Sequence, residues 1–150
     1  MRLELERILS VEVRAEGDGT VYVELQASDG SFAGLAEGWV GDESLASFCA
    51  ALRQHPLIEA PAIEAGRGLV NTAEILDFRL TVRQVGALGR IGVAVELQSD
   101  VAVTDLRNAR NRVVLELFTT YADIDVFASS LAAALRTGQG KALLRTEQLP

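Results

Sequence analysis

The chain has 150 residues, a net charge of -7, 49% apolar residues, one cysteine and one histidine. That length suits one domain able to bury a core without metal or disulfide help, and the apolar fraction excludes a disordered chain. A lone cysteine excludes an intrachain bridge and a cysteine-rich zinc site, while residues 1 to 50 hold three arginines against ten acids, a balance that makes polyanionic nucleic acid an unexpected partner.

At the N-terminus, MRLELERILSVEVR alternates charge with aliphatic residues. A secretion signal needs an uninterrupted apolar stretch, and no run here approaches the roughly 18 residues that span a bilayer. A cytoplasmic protein without membrane contact is expected. Leu3, Leu5, Leu9, Val11 and Val13 fall on odd positions, with Arg7 the exception, which predicts a strand with one buried face. The turn residues Glu16 to Gly19 follow, and Val21, Val23 and Leu25 then alternate with Tyr22, Glu24 and Gln26 as the second arm of a hairpin. Asp29-Gly30 signals another turn, leading to a third strand within SFAGLAEGWV, where Gly34 and Gly38 point to a bulge or a close backbone approach. Leu45, Phe48, Cys49 and Leu52 lie at helical spacing between Asp42 and Glu43 at one end and Arg53 and Pro56 at the other.

A connection rich in Ala, Pro and Gly spans 55 to 73, and then the order returns. Leu76, Phe78, Leu80 and Val82 alternate; GALG turns the chain; Ile91, Val93, Val95 and Leu97 alternate; Val113, Leu115 and Leu117 supply a third strand. A closing helix carries Ile124, Phe127, Leu131 and Leu135 on one face, with Asp123 or Asp125 to cap it and Gly138 to stop it. VYVELQ at 21 to 26 and VAVELQ at 93 to 98 occupy corresponding strands. The expected fold is therefore α+β, an antiparallel sheet of about six strands with two helices, built from two β-β-β-α units at about 2–55 and 74–137 with a tail at 138–150. The surplus residues of the second unit fall in SDVAVTDLRNARN, before its third strand.

Residues able to carry chemistry each have a plainer reading. Cys49 lies in the apolar stripe of the first helix, and His55 stands at its end without an oriented nucleophile. GALGRIG, from Gly86 to Gly92, is followed by a strand instead of the helix that a phosphate loop requires, and GRG at 66 to 68 has no P-loop lysine. Arg107, Arg110 and Arg112 read as a solvated loop or a phosphate-binding cluster. No catalytic residue, cofactor or metal site is expected. Glu4, Glu6 and Glu12 project opposite the leucines and Glu24 lies on the equivalent face of the next strand, forming a solvated outer face or a docking surface. Trp39 is a core or rim residue, or an interface anchor.

Phe32, Gly34 and Trp39, followed by Leu45, Phe48, Leu52 and Pro56, then GRIGVAVEL and an acid-capped helix, resemble a group of small bacterial proteins similar to immunity proteins of polymorphic toxin systems. The resemblance covers roughly residues 20 to 136. It implies a cytoplasmic non-enzyme that binds and neutralises a toxin domain, often a nuclease, and it assigns no contact residue to any position here. A basic toxin domain would be steered by Glu4, Glu6, Glu12 and Glu24 and anchored by Trp39. The alternatives are a homodimeric secretion or assembly chaperone, and a small-molecule-binding domain or enzyme with a cavity between sheet and helices.

Overall fold

The computed structural model describes residues 6–70, 73–86, 88–98 and 111–147. Alternation in the first third becomes three antiparallel strands, β1 (Arg7–Ala15), β2 (Thr20–Asp29) and β3 (Ala33–Gly41), each burying one side-chain face. The turns are held by carboxylates. Asp18 Oδ1 accepts from the Thr20 amide at 3.0 Å, and Asp29 Oδ1 accepts from the Ser31 and Phe32 amides at 2.8 Å each. Amide bonds favour the charged form, so both carboxyl groups are held below the ordinary carboxylate range, Asp18 chiefly by its Thr20 hydroxyl bond and Asp29 by the Phe32 amide.

Helix α1 (Asp42–Leu52) follows directly and buries Leu45, Phe48, Cys49 and Leu52, the stripe expected from spacing. Its N-cap is Gly41, which offers no side-chain acceptor, so Asp42 is a first-turn residue and not the cap. The chain continues through β4 (Ala62–Val70), β5 (Ala73–Val85), β6 (Arg90–Gln98), β7 (Arg112–Thr120), α2 (Tyr121–Thr137) and β8 (Gln139–Arg145). Thr120, not Asp123 or Asp125, caps α2, its hydroxyl accepting from the Asp123 amide at 3.2 Å. Gly138 ends that helix at φ 94°, a backbone angle that glycine adopts without a Cβ clash.

Among these residues the eight strands form two antiparallel sheets of four, ordered β3-β2-β1-β8 and β4-β5-β6-β7. This corrects the expectation of a single sheet of about six strands; the α+β class and the two helices stand. The two additional strands carry weak signals. β4 is AIEAGRGLV, rich in small residues and interrupted by register shifts at Ala65/Gly66 and Arg67/Leu69, and β8 is the seven-residue QGKALLR within the tail.

The order β-β-β-α-β thus occurs twice, and each fourth strand completes the sheet of the other unit. β4 pairs with β5, and β8 pairs with β1. VYVELQ lies in β2 and VAVELQ in β6, each an inner strand with neighbours on both sides. Three residues separate β2 from β3, whereas residues 99–111 separate β6 from β7, which puts the surplus where the sequence comparison placed it.

The two inner faces meet in one core that also takes in both helices. β3 runs across the second sheet. A Cβ at Gly34 would stand 3.1 Å from Leu97 and 3.2 Å from Val113, whereas one at Gly38 would stand 2.6 Å from the Ala65 Cβ. Absence of a side chain at Gly38 is what lets the sheets close, the second of the two readings open for these glycines. The far edges are tied by bonds from Thr119 Oγ1 to the Arg145 carbonyl at 3.0 Å and from the Glu147 amide to the Phe118 carbonyl at 2.7 Å.

Candidate protein-docking face

The outer face of the first sheet is read by crossing its ladder. Glu12 stands opposite Glu24, Glu24 opposite Glu37, and Glu12 on its other side opposite Lys141. Three glutamates therefore lie in one row on adjacent strands about 4.8 Å apart. Like charges in direct cross-strand register cost stability unless something neutralises them. Among the described residues none of the three has an ion-pair partner within 4.0 Å.

The neighbouring row is aromatic. Tyr22 faces Trp39 across the ladder with ring centroids 5.6 Å apart, edge to face, and the Arg14 guanidinium stands 4.7 Å from the Tyr22 ring centre. Tyr22 also lies diagonally between two carboxylates and donates its hydroxyl proton to Glu37, with Glu24 Oε2 at 3.5 Å. Ionising the phenol would forfeit the Glu37 bond and set a second negative charge beside the carboxylates, so its pKa is pushed up to about 12. Beyond the glutamates on the other side, Leu35 is exposed on β3 and Leu143 on β8, and Phe32 projects from the β2–β3 turn.

The second sheet has the same framework with its charges paired. Glu96 is the counterpart of Glu24 in the repeated VELQ, but its ladder neighbour is Arg79, which bonds Glu64 at 2.9 Å and Glu96 at 3.4 Å; Arg112 reaches Glu96 at 2.5 Å. Arg83 pairs with Glu116. The second face is self-neutralised and the first is not.

Of the residues expected from sequence, Glu12, Glu24 and Trp39 are brought together on this face, with Trp39 at the rim and 57% exposed instead of in the core. Glu6 is exposed just before β1, outside the row, and Glu4 lies outside the described residues. Glu37, Tyr22, Arg14 and Leu35 were missed. For Glu37 and Leu35 the signal is alternation with Trp39 in LAEGWV, obscured because the glycines hide the register of β3, whereas Tyr22 and Arg14 share the alternating faces of Glu24 and Glu12.

Cys49 and His55 make packing and tethering contacts. Cys49 is buried in the core, and burial pushes its thiol pKa up, away from the reactive thiolate. His55 Nε2 stands 3.0 Å from both oxygens of Asp125 and its ring packs edge-on against Tyr121, tying the end of α1 to α2 instead of meeting its own helix carbonyls. Arg107 and Arg110 lie outside the described residues, and Arg112 starts β7. An open depression of about 540 Å³ lies beside the β1–β2 turn; the polar side chains on its wall are Thr20, Asp42 and Glu43, and Thr20 is already bonded to Asp18. Among the described residues no cluster of three or more His, Cys, Asp or Glu side chains is placed to hold a metal, and no helix is long and apolar enough to cross a membrane. No protein-family model matches the chain, and no curated protein or solved structure matches it significantly.

Proposed function

We propose that the chain is a non-catalytic protein-binding module of cytoplasmic immunity type, whose first sheet presents its outer face to a basic toxin domain. The observation that supports this reading is the in-register row Glu12–Glu24–Glu37, beside Trp39 and Tyr22, on a sheet whose sister face sets Arg79 opposite Glu96 where this one sets Glu12 opposite Glu24. An arrangement that costs stability in the free protein becomes favourable when cations of a partner enter it, and Trp39 and Leu35 add the apolar contact that an interface needs. Nuclease domains are commonly basic because they hold phosphates, which is the complement this face requires.

The test is to establish whether a gene beside this one encodes a toxin domain, and then to co-express the two and measure association kinetics of the purified pair. The wild-type chain should restore growth, and Glu12→Lys/Glu24→Lys/Glu37→Lys should slow association at least about tenfold at low salt and flatten its salt dependence. Unchanged kinetics in the triple variant would remove this face from the interaction.

A further inference from the structure

Among the described residues the first sheet ends in a bare edge at β3. Along the β2–β3 ladder the Asp29 amide donates to the Phe32 carbonyl at 3.1 Å and the Asp42 amide to the Gly19 carbonyl at 3.0 Å. Antiparallel hydrogen-bonded pairs alternate, so between these two the bonded pairs are Ala27–Gly34, Leu25–Ala36, Val23–Gly38 and Val21–Val40. Ala33, Leu35, Glu37 and Trp39 fall in the other class, and their N–H and C=O groups point away from β2.

The remaining edges are each blunted over part of their length. β4 is broken by two register shifts. β7 and β8 are tied by the Phe118–Glu147 bridge and the Thr119–Arg145 bond, and β8 is short and carries Lys141 and Arg145. β3 has nine residues and contains no proline, lysine or bulge, and among the described residues no strand pairs with its outer side. Natural sheets protect edges by such devices, and an unprotected edge is a template for another strand.

Charge selects the occupant. A strand laid beside β3 continues the rows of the outer face, so its outward side chains fall next to Glu37, Trp39 and Leu35. A second copy of this chain would set its own glutamate row against the first, extending a repulsion already unrelieved. A strand with lysine or arginine beside Glu37 and an apolar residue beside Leu35 or Trp39 relieves it.

We infer that β3 is a strand-docking edge, and that a basic partner engages it with an extended segment hydrogen-bonded to Leu35, Glu37 and Trp39. This rests on the reading of the same face as a protein-docking surface and adds the backbone mode of recognition to it.

The probe is a disulfide-cyclised β-hairpin peptide whose open strand alternates lysine and valine. It is compared with a twin carrying glutamate for lysine and with a third peptide N-methylated at the outward amides. Binding to the full chain is followed by Trp39 fluorescence and by amide exchange. The lysine hairpin should protect the Leu35, Glu37 and Trp39 amides, N-methylation should weaken it about tenfold or more, and Glu37→Lys should weaken it by a similar factor. Because methylation alters the peptide alone, folding of the protein is not at issue. Equal binding of the methylated peptide would overturn strand docking and leave the charged face standing as a contact surface. Equal binding of the glutamate twin would overturn the basic occupant, and protection of the same amides in a concentration-dependent dimer of the chain alone would transfer the edge to a second copy. Absence of binding of the lysine hairpin at about 1 mM would overturn the inference outright.

Discussion

Tyr22 holds one proton against two carboxylates, and that position makes it a reporter of the face. An unfolded tyrosine ionises near about 10, whereas in the folded chain the Glu37 bond and the neighbouring charges push its pKa up to about 12. The folded state therefore retains a proton that the unfolded state has released across that interval. Its contribution to stability is complete below pH of about 10 and is lost as pH rises toward about 12. Urea midpoints of the wild type and of Tyr22→Phe should accordingly lie further apart at pH 8 than at pH 11.5, and a constant gap would show that Tyr22 does not titrate in this way. At this scale the sequence was half legible. Glu12 and Glu24 could be placed by alternation along strands whose apolar partners are unambiguous, whereas Glu37 sits between small residues that carry no hydrophobic period. The cross-strand row itself depends on register, which a single strand does not encode.

Elements with strong periodicity were legible almost to the residue. The buried side chains of α1 are those of its predicted stripe, and α2 buries Ile124, Phe127 and Leu131 while Leu135 is only partly covered. Caps were less legible, because Asp, Thr and Ser compete for that position and backbone entry angle decides among them. Replacing Thr120 with alanine removes the acceptor for the Asp123 amide and should cost about 1 kcal/mol in a denaturant titration, with the slope unchanged; a cost near zero would assign the cap elsewhere. β4 and β8 escaped sequence reading for a shared reason. Each pairs with a strand of the other unit, β8 with the distant β1 and β4 with the next strand β5, and a strand stabilised mainly by what it joins needs little β-propensity of its own.

For the whole molecule the reciprocal placement of β4 and β8 decides stability. Ala142 and Leu144 are 0% and 1% exposed and belong to the core, and β8 is the only described strand on that side of β1. Truncation after Gly138 removes both side chains and one complete ladder. Burial of the leucine alone stabilises by about 1.5 to 3 kcal/mol, and the ladder, the alanine and the bridge to β7 add to that, against a typical net stability of about 5 to 15 kcal/mol. The truncated chain should melt at least about 10 °C lower by circular dichroism, or show no cooperative transition. An unaltered melting curve would mean that β8 is dispensable.

Exchange of the fourth strands also sets a timetable during translation. The first sheet is nearly all written within the opening 41 residues, yet its β1 side stays open until 139–145 have left the ribosome. Through most of synthesis the first sheet consequently shows two free strand margins, and among the described residues β3 is the one that no strand covers after release.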